Sequence, residues 1–151
     1  MANTYLGSEQ QLVNLWLEAR FAANAAALNA INAGLSSRIF PDFAPFNAAY
    51  PFIVYQAQSP PRDVRGVGAI RLLVDTLYVV KAVAQVDTYA PLAPVATLID
   101  SIMIMAAPQA VSDGTVLCST REDQFSLVEV NEGKQFRHLG GSYRILAQAT
   151  A

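Results

Sequence analysis

The chain has 151 residues, 53% of them hydrophobic and only 15% charged, with a formal net charge of −2. A typical soluble domain carries about 25% charged residues, so this balance argues against disorder and for surface that can be buried against a neighbour. It also argues against a general nucleic-acid binder, which needs a basic excess, and the single cysteine, Cys118, rules out an intrachain disulfide and a cysteine-based metal cluster.

The length suits one domain spanning residues 1–151. The start of the chain lacks a basic stretch followed by an apolar core, so no signal peptide is expected. The uncharged run Ser101–Ala107 falls far short of the ~20 residues that span a bilayer. The expectation is a protein made in a cytoplasm, without a membrane partner.

Ser8-Glu9-Gln10-Gln11 resembles a capping box, and an alanine-rich helix is predicted from about residue 8 to residue 33, with Gly34 as its stop. Two stripes at helical spacing run along it. Leu12, Trp16, Ala19, Ala23, Ala26 and Ala30 form one; Leu17, Phe21, Leu28 and Ile31 form the other. The helix reads as lying across a sheet, and its second stripe could instead contact another subunit. Arg38-Ile39-Phe40 is a short strand. Pro41, Pro45 and Pro51 then divide an aromatic, ordered loop that leads into a strand at Phe52–Gln58.

Arg62, Asp63 and Arg65 form the densest charge cluster of the first half, in a glycine-containing loop that ends at Gly68. They read either as a solvated loop tip or as a contact point for a partner or for DNA phosphates. No helix of the right kind follows, so the loop is not a phosphate cradle.

Ile70–Val86 is the spine of the predicted fold. Its even positions, from Ile70 through Tyr78 to Val86, carry no charge, whereas the odd positions include Arg71, Asp75 and Lys81. Such alternation marks a strand. Its extended length of about 55 Å exceeds that of an ordinary strand, so part of it is expected to bend or to reach a neighbour. A single long strand is the reading, with a bent hairpin as the alternative. A second helix follows, with Pro91 and Pro94 at its start, Val95, Leu98, Ile99, Ile102 and Met103 on one face, and Pro108 beyond it.

The remainder reads as strands at Thr115–Ser119, Gln124–Val130 and Ser142–Gln148. A charged bend at Arg121, Glu122 and Asp123, a hairpin-like connection at Asn131-Glu132-Gly133 and a break at Gly140-Gly141 separate them. The predicted fold class is α+β: a mostly antiparallel sheet with a long central strand, sheet and second helix over residues 39–149, and two helices packed on one side.

Candidate chemistry is sparse. His138 is the only histidine, and no spacing of histidine, cysteine or carboxylates forms a ligand pattern. Cys118 with His138 could in principle supply a nucleophile and a base, but no motif surrounds either. A buried strand cysteine is the plainer reading. No enzyme, cofactor or metal is expected.

Several segments, taken in order, carry a resemblance. They are Tyr50–Gln56, Asp63–Gly68 with the long strand to Lys81, Asp113–Val116 with Cys118–Glu122, and Phe136–Ile145. Over about Ala49–Gln148 the chain resembles the tail terminator (tail completion) proteins of long-tailed bacteriophages. The resemblance implies a non-enzymatic virion protein at the head–tail junction, assembled in the host cytoplasm. It implies a ring, commonly a hexamer, whose partners are its own copies, the tail tube protein and the head-completion or connector protein. DNA would only pass through the lumen. The interface candidates are Arg62, Asp63, Arg65, Arg121, Glu122 and Asp123. The alternatives are another phage neck or head-completion protein, or a small-molecule-binding or enzymatic domain using Cys118 or His138.

Overall fold

The computed structural model describes residues 8–69 and 71–149. Among these it has three α-helices, α1 (Ser8–Ala23), α2 (Ala25–Ile31) and α3 (Ala93–Met103). Its strands are β1 (Ile39–Pro41), β2 (Phe52–Ala57), β3 (Arg62–Arg65), β4 (Arg71–Ala84), β5 (Gln109–Val111), β6 (Gly114–Asn131) and β7 (Lys134–Ala149). They form a seven-stranded sheet in the order β1-β2-β4-β7-β6-β5, with β3 also beside β4. Every pairing is antiparallel except β1 with β2. The α+β class, the mostly antiparallel sheet and the long central strand are as predicted.

Alternation along β4 decides which face is covered. Tyr78, Val80, Ala82 and Ala84 join the core, together with Ile53 and Tyr55 of β2 and Leu139, Tyr143, Ile145 and Ala147 of β7. Directly paired residues share a face, and the registers Tyr78↔Tyr143, Ala82↔Leu139 and Val80↔Tyr55 put all of these on one side. The helices supply Leu12, Trp16, Leu17, Phe21, Leu28, Val95, Ile99, Ile102 and Met103 to the same core. All three helices therefore lie on one face of the sheet. Ile70 and the side chain of Ser8, on which the capping box rests, lie outside the described residues.

Polar ties fix the helices in place. Trp16 Nε1 donates to Gln109 Oε1 at 2.8 Å, and Tyr78 Oη to Asn14 Oδ1 at 3.1 Å. The Arg20 guanidinium donates from Nε and Nη2 to the Ile102 carbonyl, at 2.8 and 2.5 Å. It satisfies an acceptor that the end of α3 leaves open.

The predicted N-terminal helix is broken in two. Asn24 leaves the helical region at φ −107°, and its Nδ2 donates to the Arg20 carbonyl at 2.8 Å. An asparagine side chain competes with the backbone for that acceptor, which is why it interrupts an otherwise alanine-rich run. α2 ends at Ile31 with Asn32 extended, ahead of the predicted stop, and Gly34, at φ +79°, opens the 3-10 turn Leu35–Ser37. In α3, Val95, Ile99, Ile102 and Met103 are buried, the face their spacing predicted.

Four expectations are corrected. Arg62, Asp63 and Arg65 lie in β3, paired with β4 from Arg62↔Asp75 to Arg65↔Arg71, not in a loop tip. Arg121, Glu122 and Asp123 lie within β6 at a bulge, which shifts register without ending the strand. Gly140-Gly141 does not break β7: a Cβ on Gly140 would fall 2.0 Å from the Val80 carbonyl oxygen, so glycine here lets β7 press against β4. Finally, β4 does not project. β7 flanks it from Val74 to Ala84, and β3 and β2 flank its other side, so from Val74 onward its hydrogen-bonding capacity is used within the chain. The excess length belongs to the β6–β7 hairpin. Its two-residue turn, Glu132 (φ +51°) and Gly133 (φ +76°), has both central residues left-handed, as a type I′ turn requires.

Candidate subunit and partner interface

The face of the sheet opposite the helices carries a connected set of charged side chains. Asp75 stands in the middle of β4 and is only 7% exposed. Its Oδ2 accepts from Arg62 Nη2 at 3.0 Å, and its Oδ1 accepts from Arg144 Nη1 at 2.5 Å. The same Arg144 donates from Nε and Nη2 to the two carboxylate oxygens of Glu122. The result is a charge chain, Arg62–Asp75–Arg144–Glu122, laid across β3, β4, β7 and β6. At about 4.8 Å per strand it spans roughly 14 Å. Hydrogen bonds to Glu122 and then to Asp75 raise the Arg144 pKa, so its guanidinium is charged at any working pH.

This chain connects the two predicted clusters. Arg62 and Glu122, one from each, are brought together through Asp75 and Arg144. Asp63 pairs with Arg65 at 3.1 Å and with Arg71 at 3.8 Å, at the margin of the sheet. Arg121 points to the helix face, where it meets Asp100 Oδ1 at 3.3 Å; Tyr143 Oη donates to the same oxygen at 3.0 Å. Burial first, then Asp100, raises the Tyr143 pKa, so the phenol keeps its proton. Asp123 makes no ion pair among the described residues. The sequence reading missed Asp75, Arg144 and Asp100. The available signal was a charged residue in the middle of an apolar strand, since such a residue is retained only with a partner.

Farther along the same face, the curl of the sheet makes a groove of about 620 Å³. Tyr50, Phe52 and Phe136 line one wall, with ring centroids 5.3 and 5.8 Å apart around Tyr50. Lys81 and His138 line its floor. The Lys81 ammonium sits 5.0 Å from the Phe125 ring centre, and burial lowers its pKa against the opposing pull of Glu129. His138 Nε2 lies 2.9 Å from Glu129 Oε2. Burial and Lys81 lower the His138 pKa, and Glu129 opposes them only in part, so the ring is neutral near pH 7. The network assigns the ring proton to Nε2, which donates to Glu129, and leaves Nδ1 buried without a partner among the described residues.

Cys118 and His138 do not meet. Cys118 pairs with Leu146, eight residues along β7 from His138, which at about 3.3 Å per residue separates them by roughly 26 Å. A nucleophile and its base need hydrogen-bonding distance. No group of three or more histidine, cysteine and carboxylate side chains among the described residues is disposed to hold a metal, and no described helix is long and apolar enough to cross a membrane.

No family model matches the chain, and no curated protein matches it by sequence. Solved structures do. A chain from the virion of a native gene transfer agent particle aligns with a TM-score of 0.58 and 12% identity, over 89% of this chain and 97% of that one. The fold is shared with a virion chain. A second solved chain, which carries no functional name, aligns with a TM-score of 0.60 and 14% identity, over 94% of this chain and 97% of that one. Both alignments cover at least 89% of this chain, so the shared feature is most of the architecture and not a single hairpin.

Proposed function

We propose that this chain is a structural, non-enzymatic virion protein that caps a phage tail tube as a ring and joins the tail to the head-side connector. The observation that carries the reading is the likeness in fold, over nearly all of both chains, to a chain of a gene transfer agent virion. The composition supports it, because a surface with few charges can be buried between subunits at small desolvation cost. The distance between Cys118 and His138 supports a role without catalysis.

In this reading the copies close head to tail, commonly as a hexamer, and the tail tube protein and the connector bind opposite ends of the ring. DNA passes through the lumen. A net charge of −2 suits a passage that must not hold phosphates. Arg62, Asp63, Arg65, Arg121, Glu122 and Asp123 are proposed to lie at contacts between subunits or with these partners.

The test is electron microscopy of virions carrying a labelled copy of the protein. Label at the head–tail junction, in a closed ring, is the expected result. Label elsewhere on the particle would overturn the assignment; on the head-side connector it would favour a head-completion role.

A further inference from the structure

β6 is bordered on one side by β7 along its whole length, but on the other β5 covers only Gly114–Val116. From Leu117 to Asn131 the outer edge of β6 has no strand partner among the described residues. That is about 45 Å of open edge. The hairpin turn determines which backbone groups face outward. In a two-residue hairpin the pair flanking the turn, here Asn131↔Lys134, is hydrogen-bonded, and bonded pairs then alternate. Val130, Val128, Ser126 and Gln124 therefore direct their N–H and C=O groups away from β7.

Exposed edges are normally blunted with lysine, proline or a kink. Between Leu117 and Asn131 there is no lysine, proline or glycine. Bulges sit at Val116–Cys118 and at Arg121–Asp123 and leave Gln124–Asn131 regular. Leu127, Val128 and Val130 are large apolar side chains exposed along this stretch, Val130 by 69%. The edge is also acidic, with Glu122, Asp123 and Glu129 against Arg121. Two such edges side by side would set like charges against each other.

The opposite margin of the sheet has complementary character. There β3 pairs only with β4, and Arg62, Arg65 and Arg71 outnumber Asp63 and Asp75 by three to two. Val67 and Leu72 are exposed beside it. We infer that the outer edge of β6 pairs with the β3 margin of a second copy of this chain, extending one sheet into the next. Every copy carries one acidic and one basic margin, so the contact is heterologous and can close into a ring. The inference rests on the ring reading above and assigns its subunit contact.

Native mass spectrometry and light scattering on the purified chain, alone and with tail tubes, test it. Val128→Pro blocks an outward N–H without removing a bond to β7, so it should keep the wild-type circular dichroism and weaken association by at least about tenfold. Asp123→Arg should also weaken association, and Asp123→Arg with Arg65→Glu should restore it, because each contact then sees both reversed charges. The charge-reversal pair reads the contact independently should the proline variant fail to fold. A closed oligomer unaffected by Val128→Pro and Asp123→Arg would overturn the β6 contact and leave the ring standing. A symmetric dimer, or failure of the double variant to recover, would overturn the pairing with β3. Wild-type protein that forms no oligomer, alone or on tubes, would overturn both.

Discussion

Asp75 and Arg144 lie 69 positions apart in sequence, yet their side chains meet at 2.5 Å across the β4–β7 pair. Neither is at a turn or a terminus. Asp75 is buried and takes a second bond from Arg62, whose own side chain is 77% exposed. The bond to Arg62 is thus a surface ion pair and adds little, whereas the Asp75 carboxylate is the group that cannot be left unpaired.

Replacing Arg144, which donates the shorter bond to the buried Asp75 carboxylate, with Ala should accordingly destabilise the fold by about 1–3 kcal/mol, and replacing Arg62 with Ala by less than about 1 kcal/mol. Urea unfolding of the two variants checks the order. Equal losses would mean that the buried Asp75 depends on Arg144 no more than on the exposed Arg62.

His138 predicts a pH dependence. Burial and Lys81 place its folded-state pKa below the ordinary histidine value of about 6.5. Between those two values the unfolded chain binds the proton more readily, so stability rises with pH there. The contribution is complete above about pH 6.5 and is lost as pH falls through the folded-state value. The difference in urea midpoint between wild type and His138→Gln, followed from pH 7.5 down to pH 5, should narrow or reverse as wild type weakens. Parallel curves would exclude His138 as the source.

Gly140→Ala should be more damaging than a surface change of the same size. The added methyl has the Val80 carbonyl oxygen at 2.0 Å and the Lys81 Cα at 2.6 Å, both rigid backbone atoms. Separating β7 from β4 to make room should cost at least about 2 kcal/mol. Gly133→Asn, at a turn position with open space and φ +76°, should cost well under that, because asparagine tolerates the left-handed region. Thermal melting of both variants makes the comparison.

Arg20→Ala should cost about 1–2 kcal/mol by leaving the Ile102 carbonyl without its donors. Arg20→Lys should recover only part of this, since an ammonium cannot reproduce two donors in a fixed fork. Amide exchange in the last turn of α3 should quicken in both variants. Unchanged exchange would show that α3 ends independently of Arg20.

Much of the fold was legible because it depends on local pattern. Val95, Ile99, Ile102 and Met103 recur at helical spacing, and the even positions of β4 recur at strand spacing. Glu132-Gly133 allows the positive φ angles that a tight hairpin needs. These signals sit within a few residues of one another. The errors arose where a local signal has two meanings. Adjacent charges, as at Arg62–Arg65 and Arg121–Asp123, mark a loop or the solvent side of a strand equally well. Paired glycines mark a break or a close approach, and only the Val80 carbonyl facing Gly140 distinguishes them.

Local periodicity and composition were enough for the α+β class, the core face of β4 and of α3, and a charge-poor surface that favours burial against neighbours. Which strands are flanked on both sides and which on one, and that Arg62 and Glu122 belong to one chain of charges through Asp75 and Arg144, emerged from strand pairing alone. The physical reason is that a period of two is the same for a strand flanked on both sides and for one flanked on a single side. Strand pairing is set by contacts between distant residues, and so the long strand that appeared free to reach a neighbour, β4, proved internal, while β6 carries the open edge.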